Sequence, residues 1–259
     1  MTIDYTPAEL TVTLASRLLK DGQIVFAGAG LPLLSAVHAQ NLHAPTLAIM
    51  FEVGGVAPQI KVGALPRSAN EARSVRRSVA TPPTIDMLLY LQRGMVDVGF
   101  LGGAQVDQYG NLNSSLVGTF EKPIVRLPGS GGANDIASSA NAVYIVMYHE
   151  KKRFVEKVDF LTSPGYLKGG RSFEESGLVG GGVQKVITNL GILDFEPQSR
   201  RMRLAALHPG VTVEEVRAKT GFELLVAKDL ESTLPPTGEE LKLLRALDPE
   251  RKFLKAGEF

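Results

Sequence analysis

Cysteine is absent from the 259 residues, which excludes disulfides, a cysteine nucleophile and any cysteine-ligated metal centre. An excess of one charge is missing too. Lys and Arg number 28 against 27 Asp and Glu, a formal net charge of +1, so no electrostatic bias points to nucleic acid or a membrane surface. No apolar run reaches the length of a membrane span, and Met1-Thr2-Ile3-Asp4-Tyr5 lacks the basic segment and apolar core of a signal peptide. The expectation is a cytoplasmic protein that binds neither membrane nor nucleic acid. The usual catalytic signatures are also missing: no serine sits in a G-x-S-x-G elbow and no histidine pair has metal-ligand spacing. His38, His43, His149 and His208 are scattered and read as structural or exposed. No metal is expected. Gly28-Ala29-Gly30 lacks the third glycine of a dinucleotide fingerprint, so no permanently bound redox cofactor is expected either. Nothing resembling a repeat, a low-complexity tract or a linker divides the chain, and residues 1–259 are expected to form a single α/β domain.

What is present is a globular composition, 44% hydrophobic and 21% charged, with apolar mass enough for a substantial core. The most informative stretch is Pro45–Gly55, an apolar run that stops at Glu52 and then at Gly54 and Gly55. Apolar side chains on both faces suggest a parallel strand covered on both sides. Glu52 then lies at the strand's carboxyl end, the edge where open α/β sheets bind ligands. Gly54 allows a sharp turn and close approach of another molecule to the backbone. Placement alone does not make Glu52 catalytic, since most glutamates that end a buried strand are solvated termini.

The remaining elements follow from local signals. Thr6-Pro7-Ala8-Glu9 opens a helix with Leu10, Leu14 and Leu18 as its buried stripe. Ile24–Ala27 reads as a strand, Gly28 to Pro32 as a turn into a second helix, Thr84–Arg93 as a third and Val96–Leu101 as a strand. Gly54 to Pro83 carries four prolines and Arg67, Arg73, Arg76 and Arg77; it reads as a functional loop with little regular structure. Tyr109-Gly110-Asn111 marks a turn that suits a hairpin or a ligand wall. Gly129-Ser130-Gly131-Gly132-Ala133-Asn134 leads into a helix and exposes backbone amides fit for an oxyanion or phosphate. Ala142–Met147 reads as a strand, His149–Arg153 as an exposed charged turn and Asp159–Gly182 as loop. Lys185–Thr188, Ile192–Phe195 and Met202–Leu207 suit an antiparallel meander, and Thr212 and Thr237 start capping boxes, with Gly221 ending the first helix.

A carboxylate beside oriented amides suits acyl transfer, with the carboxylate as nucleophile and the amides holding the tetrahedral oxyanion. A thioester is the best-matched substrate, because its thiolate leaves easily and can return. Glu52 as general base for water is the competing role. Gln105, Asn111 and Asn113 are suited either to hydrogen-bond a ligand or to hold turns.

Taken together, Gly28-Ala29-Gly30-Leu31-Pro32, Phe51-Glu52-Val53-Gly54, Gly102–Asp107 with Tyr109-Gly110-Asn111, Gly129–Asn134, His149–Phe154 and Leu161–Gly165 resemble the beta chain of family I coenzyme A transferases over nearly the whole length. The resemblance implies an open, mostly parallel α/β sheet with helices on both faces, plus a C-terminal antiparallel meander and short helices. It implies that Glu52 attacks an acyl-CoA and passes through a glutamyl-CoA thioester, with Gly132 and Ala133 amides in the oxyanion hole. Gly28, Gly30, Gly54, Gln105, Gly131 and Asn134 would line the substrate and CoA. Coenzyme A enters as a thioester substrate, a short dicarboxylic or oxo acid as the acceptor, and a homologous alpha subunit completes a heterotetramer or larger assembly. Many family members carry Glu-Asn-Gly or Glu-Ser-Gly where this chain has Glu52-Val53-Gly54. Relatives that hydrolyse or decarboxylate acyl-CoAs form a second reading; they tend to lack the glutamate, so Glu52 favours transfer. A non-catalytic binding module is the third.

Overall fold

The structure, a computed structural model, describes residues 4–256. Its first helix forms for a local reason. Thr6 Oγ1 accepts the Glu9 amide at 3.3 Å while the Glu9 carboxylate accepts the Thr6 amide at 2.8 Å. This reciprocal cap, worth about 1 kcal/mol, starts α1 (Pro7–Arg17). Strand β1 (Ile24–Phe26), helix α2 (Leu31–Leu42) and strand β2 (Ala48–Met50) follow. Gly54 to Pro83 then runs with little regular structure, as its prolines imply, apart from a 3-10 turn at Ala72–Val75. After it come α3 (Thr84–Gln92) and β3 (Val98–Leu101). β1 lies between β2 and β3 and runs parallel to both. Val25, Phe26, Ile49, Met50, Val98 and Phe100 are all buried, as expected of strands covered on both faces.

The residues gather into two compact units, a division that no feature of the sequence marks. One holds the chain up to Phe100 with everything from Pro235 onward, the other Leu101–Leu234. In the second, Tyr109-Gly110-Asn111 is a hairpin turn between β4 (Gln105–Val106) and β5 (Leu112–Asn113). Another hairpin, β6 (Leu116–Gly118) with β7 (Pro123–Arg126), is not legible in the sequence, because β7 is mostly exposed and shows no alternation of burial. Helix α4 (Ala133–Ser139) and strand β8 (Val143–Val146) follow. The Asp159–Gly182 stretch is not all loop, since α5 (Ser172–Glu175) forms within it and anchors Phe173 in the core. The expected meander is present as β9 (Val183–Ile187), β10 (Gly191–Phe195) and β11 (Met202–Leu207), with β9 also parallel to β8. After α6 (Val213–Ala218) comes an unexpected strand, β12 (Leu225–Ser232), parallel to β11. Its exposed Lys228, Asp229 and Glu231 mask it in the sequence.

Two expectations about α6 need correction. Thr212 Oγ1 accepts the Glu215 amide at 3.2 Å, but the Glu215 carboxylate takes Lys219 at 2.9 Å, so only the hydroxyl half of the box is made. Gly221 does not end the helix, which stops at Ala218 with Lys219 as its cap: the Gly221 amide donates to the Phe154 carbonyl at 2.7 Å, and a Cβ there would lie 2.4 Å from that oxygen. In the first unit, α7 (Gly238–Leu247) opens with a complete Thr237–Glu240 capping box, and α8 (Lys252–Ala256) follows. α1 packs against α2, α7 and α8. That surrounds Ala8–Ser16 on every side, where the leucine pattern implied one buried stripe with Leu18 on it; Leu18 is only half-buried. Arg17 pairs with Glu240 at 2.7 Å and Arg245 with Glu9 at 2.8 Å, fastening α7 to α1.

Candidate active site

The parallel register of β1 and β2 sets Ile24, Val25 and Phe26 opposite Ala48, Ile49 and Met50. Gly28 and Glu52 each lie two residues past the last pair, so the register carries both to one sheet edge. Gly30 stands at the same end as the N-cap of α2. Glu52 occupies the second position of a four-residue turn closed by backbone groups. The Gly54 amide donates to the Phe51 carbonyl and the Phe51 amide to the Gly55 carbonyl, both at 3.2 Å. Val56 then pairs antiparallel with Met50 and with Ala80. Glu52 is half-buried and Val53 exposed, whereas Gly54 and Gly55 are buried.

The two glycines are required by the chain itself. Their φ angles of +104° and +93° are left-handed, and backbone stands against both. A Cβ on Gly54 would lie 2.8 Å from the Pro82 carbonyl oxygen, and one on Gly55 would lie 2.4 Å from that of Ser74. Gly28 is the opposite case. A Cβ there would meet nothing within 4 Å, so the chain's own packing does not demand glycine, and open space is left at the edge that carries Glu52. The sequence signals Glu52, but not Ser74 or Pro82, whose backbones shape its turn.

Gln105, Gly131, Gly132, Ala133 and Asn134 belong to the second unit. The Gly129 amide donates to the Ser114 carbonyl and Ser114 Oγ to the Gly129 carbonyl, each at 2.9 Å, which fixes the start of the loop. Gly131 takes φ +49°, and buried Gly132 caps α4. The Ala133 amide donates to the Ser130 carbonyl at 2.9 Å. It therefore closes the loop's own turn. The exposed Asn134 bonds through its amide to Ser130 Oγ at 3.1 Å and through Nδ2 to the Thr162 carbonyl at 3.2 Å.

The polar residues of the β4–β5 hairpin are engaged internally. Gln105 Nε2 donates to Asp159 at 3.0 Å, and its Oε1 accepts Asn113 Nδ2 at 2.7 Å and the Asp159 amide at 3.0 Å. Asn111 Oδ1 accepts the Gly165 and Leu167 amides. Of the two roles open to Gln105, Asn111 and Asn113, these bonds support the holding of turns. Asp107 accepts the Tyr109 amide at 2.9 Å, the Asn111 amide at 3.1 Å and Asn111 Nδ2 at 2.8 Å. Burial pushes its carboxyl up from the usual aspartate value despite those bonds.

His149 is not in an exposed turn. It is fully buried, stacked on Phe154 at 3.7 Å between ring centroids, with Nε2 2.9 Å from Thr220 Oγ1. Since that hydroxyl donates to the Val216 carbonyl at 2.8 Å, it accepts from Nε2–H. Burial, and then the charge of Lys219, pull its pKa down to about 3. The run of charged residues that follows it in sequence conceals this burial.

The profile of the family described as Coenzyme A transferase matches residues 9–219. The beta chain of the 3-oxoadipate CoA-transferase of Pseudomonas knackmussii is 39% identical over 245 residues, covering 94% of this chain and 94% of that protein. The beta chain of the glutaconate CoA-transferase of Acidaminococcus fermentans is 38% identical over 260 residues, 97% of this chain and 96% of that one. The crystal structure of glutaconate coenzyme A-transferase from the same organism matches with a TM-score of 0.89 at 35% identity, covering 97% of this chain and 98% of that one.

Proposed function

The chain belongs to the coenzyme A transferase family, and from that premise we propose that Glu52 is the nucleophile that moves CoA between an acyl-CoA and a short dicarboxylic or oxo acid. The observation that carries this reading is the turn itself. It holds a carboxylate at the carboxyl end of a parallel strand, closes through backbone groups, and has open space at Gly28 on the same edge. The acid class follows the relatives, which are named for 3-oxoadipate and glutaconate.

The chemistry balances without an outside reagent. Glu52 Oε attacks the thioester carbonyl and CoA leaves as the thiolate, giving an acyl-glutamyl anhydride. The thiolate returns to the glutamyl carbonyl, which forms the glutamyl-CoA thioester and frees the first acid. An acceptor carboxylate attacks that thioester and expels the thiolate, giving a second mixed anhydride; the thiolate then attacks its new acyl carbonyl, leaving acyl-CoA and regenerating the Glu52 carboxylate. The oxyanions along this path require backbone donors; the Gly132 and Ala133 amides remain the candidates, and Ala133 would serve only if its bond to Ser130 opened. In the proposed assembly this chain pairs with a homologous alpha subunit in a heterotetramer or larger complex in the cytoplasm. Among the described residues no helix is long and apolar enough to cross a membrane.

The test is the mass of the Glu52 peptide after the co-purified complex meets a panel of acyl-CoAs and is reduced with borohydride. Reduction of the glutamyl thioester to the alcohol on Glu52 with dicarboxylic acyl-CoAs is the expected result. Release of free CoA with no mark on Glu52 would instead favour hydrolysis, with Glu52 at most a base for water.

A further inference from the structure

The Glu52 turn leans on a strap of chain that runs from Ala69 to Pro82, and one buried side chain braces that strap. Ser74 is 1% exposed. Its amide donates to the Glu71 carbonyl at 2.9 Å, and its hydroxyl, with a single proton, lies 2.6 Å from both the Ala69 and Glu71 carbonyl oxygens. These bonds tie the 69–74 backbone into a knot around the hydroxyl. The Ser74 carbonyl projects from the knot against the Cα of Gly55, so close that no side chain fits between them. Further along, Gln59 donates its amide to the Arg76 carbonyl at 2.9 Å, Val79 to Val56 at 2.9 Å, and Val56 to Ala80 at 3.0 Å. The Pro82 carbonyl then backs Gly54 as Ser74 backs Gly55. The turn is thus held from behind at two successive residues.

We propose that Ser74 is a positioning residue for Glu52: its hydroxyl sets the strap, and the strap sets the direction in which the Glu52 carboxylate leaves the turn. Ser74 touches no reacting atom. Its importance follows from the sensitivity of attack geometry, since reacting groups must be held close to a productive alignment and a displacement of about 1 Å costs up to about 100-fold in rate. A serine in a proline-rich, arginine-rich loop draws no notice in the sequence. This role for Ser74 rests on Glu52 being the nucleophile.

The experiment measures the single-turnover rate of the borohydride-trapped adduct on Glu52 in the co-purified complex, at saturating acyl-CoA, with the melting temperature of each variant alongside. Ser74→Ala is expected to slow adduct formation by about tenfold with little change in the acyl-CoA concentration needed for saturation. Gly55→Ala displaces the same contact from the other side and is expected to slow it at least as much. Ser74→Thr keeps the hydroxyl and is expected to restore most of the rate. Adduct formation at the wild-type rate in Ser74→Ala would overturn the proposal whatever Gly55→Ala does, as would a loss in Ser74→Ala confined to saturation or to melting temperature. Should Ser74→Ala fail to fold, Ser74→Cys, which keeps the shape of the side chain and weakens its hydrogen bonds, decides by the same criteria. No adduct on Glu52 in the wild type would remove the nucleophile reading, and the proposal with it, a failure separate from normal adduct formation in the variants.

Discussion

Two turns in this protein begin from similar ingredients, an acidic residue followed within three positions by glycine, and are braced in different ways. In the hairpin turn of the second unit, backbone groups close the turn, the Gly110 amide donating to the Asp107 carbonyl at 3.0 Å and the Asp107 amide to the Asn111 carbonyl at 3.2 Å, and the Asp107 carboxylate reinforces it by accepting two backbone amides and the Asn111 side chain. In the first unit, the turn around Glu52 is closed by backbone groups and backed by the carbonyls of Ser74 and Pro82. A carboxylate that holds its own loop together is part of the scaffold. The turn around Glu52 is braced from behind by main-chain carbonyls, so changing the charge of its carboxylate leaves that backbone support in place.

The sharpest way to break this comparison is to remove the carboxylate at each turn. Glu52→Gln is expected to lower CoA transfer by at least about 10³-fold with an unchanged melting temperature; a folding defect of similar size to the activity loss would put Glu52 among the scaffold carboxylates. Asp107→Ala is expected to behave the other way, losing roughly 2–3 kcal/mol of stability in denaturant unfolding because buried amides lose their acceptor, while the protein that remains folded keeps its turnover.

Smaller effects sharpen the contrast. Glu9 and Glu240 are scaffold carboxylates as well, each closing a capping box and receiving an arginine. Arg245→Ala leaves the buried Glu9 carboxylate without its guanidinium and is expected to cost about 1–2 kcal/mol, a figure kept low because the arginine is half exposed. Chemical denaturation would show it with no change in transfer chemistry.

Acid stability supplies the last comparison. Burial would raise Glu240, but bonds from Arg17 and Thr237 outweigh it and hold its pKa at about 2, below the ordinary 4.5. A depressed carboxylate contributes stability above its unfolded pKa and loses it as the pH falls, here from 4.5 towards 2. His149 is held near 3 against an ordinary 6.5, chiefly by burial. Its unfolded form takes up a proton first, so its share declines from pH 6.5 towards 3. Melting temperature is therefore expected to fall in two overlapping stages on acidification. His149→Gln should flatten the stage between 6.5 and 4.5, and Glu240→Gln only the stage below 4.5; the reverse pattern would reverse the two assignments.

Much of the scaffold is written locally. Thr6 and Thr237 announce their helices because a capping box is complete within four residues, and the run into Glu52 announces a doubly covered strand because nothing polar interrupts it. Signals of that kind fail where a partner distant in sequence changes the outcome. Lys219 takes the carboxylate that would have completed the Thr212 box. Phe154 takes the amide of Gly221. β12 and the β6–β7 hairpin bury too little of one face to leave a periodic pattern, and the charges after His149 disguise a buried ring.

The candidate site divides along the same line. The amino-acid sequence alone determined that a single glutamate ends a buried strand, that glycines follow it, and that cysteine and serine-elbow chemistry are excluded. Only the tertiary structure decided why those glycines are glycines, which loop amide already has a partner, and that Ser74 and Pro82 stand behind the turn. The physical reason is range. Capping and burial periodicity act between residues a few positions apart, whereas the contacts that aim Glu52 join backbone atoms about twenty to thirty residues away, and main-chain carbonyls carry no trace of themselves in the identity of the residue that bears them.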